Sequence, residues 1–233
     1  MAAVKRFWAV AQAREGADGW EVALDGRPLR TPERALLLLP TGALAEAIAE
    51  EWRAVEGEVR PNALPLTGLG NAAVDLVAGD RAGFAAGLAR YAASDLTCYR
   101  ADNPAGLVAR QAAVWEPVLK GVEARHGLLF QRTAGVMHVP QPEETLTAIE
   151  RLFAERSPFE LAALQPIVSL SGSAVLALAH LDGALTSEEA FAAGALDEDW
   201  QAEQWGEDGE AAAVRARRCS EFASAARFLA LSR

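Results

Sequence analysis

The chain is poor in the residues that most often carry chemistry. It has three histidines, two cysteines, two methionines and two tyrosines among 233 residues. Cys98 and Cys219 are too few for a disulfide framework and too isolated for zinc, so both are expected reduced and buried as small hydrophobes. His126, His138 and His180 share no ligand spacing with a second His or Cys, so no metal site is expected. Basic residues are short as well. There are 22 Lys and Arg against 32 Asp and Glu, a net charge of −10. That balance argues against nucleic acid or a membrane as partner, because phosphate binding needs a basic footprint.

Motifs for cofactors and nucleophiles are missing too. No phosphate-loop lysine follows a glycine run. Gly68-Leu69-Gly70-Asn71 lacks the third glycine and the preceding strand of a dinucleotide loop. Ser171-Gly172-Ser173 lacks the strand and flanking glycines of a nucleophile elbow. No cofactor and no enzyme activity are expected. The first eight residues contain no apolar signal core and no long basic presequence. The expectation is a chain that stays where it is made, or a mature form. Residues 161–181 carry no charge over 21 positions, long enough to span a bilayer. Gln165, Pro166, three serines, Gly172 and His180 interrupt that run, so it reads instead as a buried, closely packed helix.

What is present is an ordinary globular composition, 51% hydrophobic and 23% charged. The length fits one large domain or two small ones, and a globule of this size buries roughly 70% of its unfolded surface. The first forty residues look β-rich. Phe7 to Val10 is one apolar run, and Trp20, Val22 and Leu24 keep the period of a half-buried strand. Asp25-Gly26 signals a tight hairpin, and the prolines of Arg27–Pro32 should take the return segment out of the ladder early. Leu36 to Leu39 reads as another short strand. From Thr41 the period becomes helical, with Leu44, Ile48, Trp52 and Val55 on one stripe. Helices are expected near 66–77, 81–94, 106–126, 142–155, 158–181, 187–194, 197–205 and 209–231. Ser157 to Glu160 and Thr186 to Glu189 carry capping spacings. The fold class is α+β: a small domain with a β-hairpin over 1–70, then a larger, mostly α-helical one over 71–233.

The segment 197–210 is chemically the oddest. It holds seven carboxylates and two tryptophans, Trp200 and Trp205, with no Lys, Arg or His. On a helix Asp199, Glu203 and Glu207 fall four apart, and each like-charge pair costs roughly 0.2–0.5 kcal/mol. A self-repelling segment that displays tryptophan suits a basic partner. Two plainer readings stand beside it. Asp197, Glu198 and Asp199 favour a helix N-terminus through its dipole, and Arg215, Arg217 and Arg218 downstream could neutralise the acids internally. A small-molecule enzyme or metabolite sensor using these carboxylates is a further alternative.

Several blocks, in order, resemble the ATP synthase F(1) complex assembly factor 2 family of mitochondria and alphaproteobacteria. They are Lys5 to Trp8, Leu24 to Pro32, Leu39 to Trp52, Pro65 to Thr67 with Asn71 to Asp75, Asp95 to Ala101, and Leu196 to Gly206. The resemblance implies a chaperone without ATP hydrolysis. It would bind the free alpha subunit of F(1), monomeric itself when free, until beta subunits take over the same surface. It implies a place in the bacterial cytoplasm, or in the mitochondrial matrix for a mature eukaryotic form. The acid stack and its match to the closing block make Glu203, Trp205, Glu207 and Asp208 the expected partner-binding residues, with Asp197 and Glu198 in support. Trp52 is expected mostly buried, in a structural or interdomain role. The chain departs from the family at Gly68, where Arg is common, at Gly70 in place of Ala, and at Arg53 in place of Asp.

Overall fold

Alternation in Trp20–Leu24 does what a half-buried strand requires. It forms the middle of an antiparallel sheet of order β1-β2-β3, with β1 at Ala11–Glu15, β2 at Trp20–Leu24 and β3 at Arg27–Pro28. The register sets Ala11 opposite Leu24 and Glu15 opposite Trp20. Asp25 (φ 47°) and Gly26 (φ 80°) both take left-handed backbone, as a two-residue hairpin turn requires. The Asp25 carboxylate also accepts from the Val10 amide at 2.8 Å, which fixes the lead-in to β1. The return strand ends at Pro28, as its prolines demand. Leu36–Leu39 is not the strand its pattern suggested. Among the described residues it makes only single bridges, Arg30 with Leu36 and Trp20 with Leu39, because the segment changes partner between them.

This computed structural model describes residues 5–135, 137–206 and 208–233. Two compact units emerge. The first contains the sheet, α1 (Gly42–Ala54) and α2 (Pro65–Ala72). It continues to Arg81 and is discontinuous, adding Arg156–Ala163 and Ser224–Arg233. Specific bonds explain both extensions. Asp75, in the π-turn that prolongs α2, accepts from the Thr31 hydroxyl at 2.6 Å and the Glu33 amide at 3.2 Å. At the C-terminal end the Thr41 hydroxyl bonds the Leu231 carbonyl, and Phe228 stacks on Phe159 with centroids 6.3 Å apart. Thr41 also caps α1 through the Leu44 amide. Leu64 offers α2 no side-chain cap, so Glu51 of α1 supplies one from outside. It accepts from the Leu66 and Thr67 amides at 2.7 and 2.9 Å. Burial raises the Glu51 pKa, opposed by those hydrogen bonds.

The second unit, Ala82–Glu155 with Leu164–Ala223, is helical. It holds most of α3 (Arg81–Ala89), then α4 (Ala105–His126), α5 (Glu143–Ala154), α7 (Ala174–Leu181), α8 (Ser187–Gly194) and α9 (Leu196–Trp205). Both units draw on α6 (Pro158–Ser171) and α10 (Gly209–Leu231). A short parallel pair joins β4 (Tyr99–Arg100) to β5 (Thr133–Ala134). Both capping boxes form: Ser157 with Glu160, and Thr186 with Glu189. The charge-free run 161–181 is buried as expected, but as two helices, because Gly172 (φ 66°) turns the chain after Ser171. Among the described residues no helix is long and apolar enough to cross a membrane.

One carboxylate organises that break. Asp95 is fully buried and accepts from the Thr97 amide (3.0 Å), the Thr97 hydroxyl (2.8 Å), the Ser173 hydroxyl (2.7 Å) and the Val175 amide (3.0 Å). Ser173 in turn accepts from the Leu176 amide, so the first turn of α7 is capped from two sides. Burial raises the Asp95 pKa, against the pull of these donors. Cys98, beside it, is buried, and burial pushes its thiol up to about 12. Cys219 corrects the expectation of two buried cysteines: it is exposed. It sits in the half of α10 that stays at the surface, and the fully buried face begins only at Phe222.

Candidate partner-binding surface

The acidic segment starts as α9, and its first turn carries Asp197, Glu198 and Asp199 at the positive end of the helix dipole. The helix lies against α4 and α8. Close approach to α4 depends on Gly106: a Cβ there would stand 2.6 Å from the Trp200 ring. The Arg110 guanidinium lies 5.9 Å from the same ring, a cation–π arrangement. Trp200 is therefore a packing residue. Trp205 is not. It ends α9 with 79% of its surface exposed, followed by Gly206 with φ 87°.

Each carboxylate of the helix has a nearby partner. Asp199 takes a two-pronged bond from Arg215, at 2.7 and 2.8 Å. Arg218 reaches both oxygens of Glu198 at 2.8 Å, and its other nitrogen donates to the Leu170 carbonyl. Arg110 bonds Glu203 at 2.6 Å. Asp197 accepts from the Gln111 amide at 2.8 Å, while the Gln111 oxygen accepts from the Ala101 amide. The spacing that stacks Asp199 and Glu203 is thus present, but arginines of α4 and α10 relieve its repulsion. Of the three arginines named from sequence, Arg215 and Arg218 make these pairs, and Arg217 is exposed with no ion pair among the described residues. Arg110 and Gln111 were not legible, because they lie 93 and 86 positions from the carboxylates they meet.

Exposure separates these residues into two sets. The Asp199 pair is mostly covered, and Asp197 is half-buried beside the fully buried Gln111. The side chains of Glu198 and Glu203 are 54% and 52% exposed. Ion pairs so open contribute about 0–1 kcal/mol. Asp208 is exposed, and its carboxylate accepts from the Glu210 amide at 2.8 Å, starting α10. Glu207 lies outside the described residues. Of the expected set, Glu198, Glu203, Trp205 and Asp208 are the exposed members.

Trp52 lies in the first unit, partly buried and packed against the cluster of Trp8, Leu24, Val55 and Leu64. It meets Trp8 edge-on with centroids 5.0 Å apart, beside Leu29 and Val59. Its indole N–H donates to the Thr67 hydroxyl at 3.0 Å, and its carbonyl accepts from the Trp8 indole at 3.2 Å. These contacts support the structural role. The histidines make ordinary contacts, His126 with Asp182 at 2.7 Å and His138 with the Tyr99 hydroxyl at 2.7 Å. No group of three metal-ligating side chains occurs among the described residues.

The family described as ATP12 chaperone protein matches residues 5–123. The crystal structure of Atp12 from Paracoccus denitrificans is 42% identical to the chain, with a TM-score of 0.94 and 98% of each chain covered. The structure of a proposed chaperone from Agrobacterium tumefaciens is 41% identical, with a TM-score of 0.95, covering 99% of this chain and 87% of that one. The mitochondrial protein atp12 of Schizosaccharomyces pombe is 27% identical over 214 residues, 87% of this chain and 74% of its own length.

Proposed function

The chain belongs to the ATP12 chaperone protein family, and from that premise we propose that it assembles the F(1) sector of ATP synthase by holding the free alpha subunit. It covers the face of alpha that later packs against beta, and beta subunits displace it. Exposed apolar surface on an unassembled subunit is an aggregation hazard, and a cover of modest affinity is what assembly requires. The protein acts as a monomer where F(1) is put together, in the bacterial cytoplasm or the mitochondrial matrix.

The observation that carries the contact surface is Trp205, 79% exposed at the end of the helix that bears the open carboxylates Glu198 and Glu203. A rigid aromatic supplies anchoring area at small entropic cost, and the carboxylates steer a basic partner patch and make association salt-dependent. Asp197 supports the surface by fixing α9 on Gln111. Co-expression with the alpha subunit tests the reading: the pair should co-purify, and capture should fall as salt rises. Glu203→Gln should leave the melting temperature nearly unchanged, since the Arg110 pair is half exposed and worth about 0–1 kcal/mol. Capture by that variant should weaken severalfold at low salt. Normal capture by a stable variant would remove Glu203 from the surface.

The proposed mechanism consumes no nucleotide. Calorimetric titration with ATP and magnesium should give no saturable heat, and a micromolar site would overturn that part of the proposal.

A further inference from the structure

The sheet of the first unit is covered along one side only. Past β3 the chain folds back, where the Leu37 amide donates to the Leu29 carbonyl at 3.1 Å and Leu39 exchanges two bonds with Trp20. On the β1 side the pattern of bonds is different. The Asp25 amide donates to the Val10 carbonyl and the Gly16 amide to the Gly19 carbonyl, so between them Gln12 and Arg14 are the residues that bond β2. Ala11, Ala13 and Glu15 alternate with these and turn their main-chain groups away from the sheet. Arg53 of α1 fills the Ala11 carbonyl at 2.8 Å. The N–H and C=O groups of Ala13 and Glu15 have no partner among the described residues.

Main-chain groups left unpaired inside a protein are rare, and here they face water, since Ala13 is partly exposed and Glu15 exposed. Sheets usually blunt such an edge with proline, a bulge or free charges. β1 contains no proline, its register with β2 is unbroken, and its one cation, Arg14, is held by Glu21 at 2.8 Å. Two residues thus offer two donors and two acceptors at the spacing of a strand.

Charge beside the open stretch selects the occupant. Arg14 with Glu21 and Arg53 with Glu46 neutralise each other, the second pair at 2.7 Å. Glu15 and Asp18, both exposed, have no ion pair among the described residues, which leaves two carboxylates in excess at this end of β1. The cations Arg6 and Arg27 belong to the opposite end, Arg6 on the Val55 carbonyl and Arg27 across from Leu24.

We propose that the outer edge of β1 is a second docking site, which takes an extended, lysine- or arginine-bearing polypeptide segment as a fourth, antiparallel strand. The residues opposite Ala13 and Glu15 each exchange both main-chain bonds with them, and a basic side chain opposite Glu15 makes a cross-strand ion pair. The source is a segment of the client, and in that respect the proposal rests on the chaperone reading.

Ala13→Pro provides the test. It deletes an outward N–H and no bond to β2, and an edge strand tolerates proline where the missing N–H faces solvent. The probe is an acetylated, amidated heptapeptide alternating lysine and valine, followed by hydrogen exchange of single amides. In the free chain the Ala13 and Glu15 amides should exchange much faster than those of Gln12 and Arg14. Saturating peptide should slow both at least tenfold. Ala13→Pro, with its circular dichroism unchanged, should weaken peptide binding at least tenfold and alpha-subunit capture severalfold. Glu15→Lys leaves every main-chain group in place, so it serves even where Ala13→Pro does not fold. It should weaken the lysine peptide and favour one with glutamates instead. No slowing at millimolar peptide, unchanged binding by a folded Ala13→Pro, or equal binding of both peptides by the parent chain overturns the site. Capture of the alpha subunit without peptide binding defeats the edge and leaves the chaperone reading standing. Peptide binding without capture defeats the alpha-subunit assignment and leaves the edge standing.

Discussion

Asp95→Ala is expected to lower the unfolding free energy by about 3–5 kcal/mol, the largest stability loss foreseen for a single polar side chain here. The carboxylate accepts four hydrogen bonds, two of them from main-chain amides, with no surface exposed. Removing it strands buried donors, each at a cost of about 1–3 kcal/mol when no water replaces the acceptor. It also frees Ser173 from the position in which it caps Leu176, so the start of α7 loosens. Chemical denaturation followed by circular dichroism measures this directly. A loss below about 1 kcal/mol would mean that the site rearranges or hydrates without consequence. The pH dependence carries a sign of its own. Burial raises the Asp95 pKa above its ordinary 3.8. Between the ordinary and the raised value the folded chain holds a proton that the unfolded chain has released. The contribution of this group to stability therefore falls as pH rises through that window. Asp95→Asn should lack that slope while remaining less stable than the parent, because its amide puts a donor where only donors face it.

The role of Asp95 shows where sequence reading stops. The block Asp95 to Ala101 stood out by resemblance, but its partner Ser173 lies 78 positions away, in a run that looked like one helix. Period and punctuation carried the rest of the fold well. Alternation in Trp20–Leu24, the Asp25-Gly26 turn and the two capping boxes depend on residues within four positions, and the structure forms all of them. The failures share a cause. Leu36–Leu39 has strand residues but no continuous partner. Cys219 has a buried residue's chemistry on the exposed half of a helix. Most instructive is the acid stack, whose repulsion was legible from spacing while Arg110, which answers Glu203 from α4, was not. Nor could spacing show that Trp200 packs on Gly106 while Trp205 projects into solvent.

That contrast extends to Trp52 and gives the second large effect. Trp205→Ala is expected to weaken capture of the alpha subunit at least about 30-fold, the equivalent of a hot-spot loss near 2 kcal/mol. Its stability should change by no more than about 0.5 kcal/mol, because the ring is 79% exposed and packs on little. Trp52→Ala should do the reverse. It removes an edge-on contact with Trp8 and a hydrogen bond to Thr67, and it opens the cluster that includes Leu24, Val55 and Leu64. The expected cost is about 2–4 kcal/mol, below that of a fully buried tryptophan. Capture of the alpha subunit by this variant should fall only in proportion to the unfolded fraction, and should recover on cooling to a temperature where the chain is folded. Measuring melting and capture on both variants separates anchoring from folding. A Trp205→Ala chain that melts normally and captures normally would take the anchor away from α9, and the alpha-binding surface would then have to be sought on another face of the molecule.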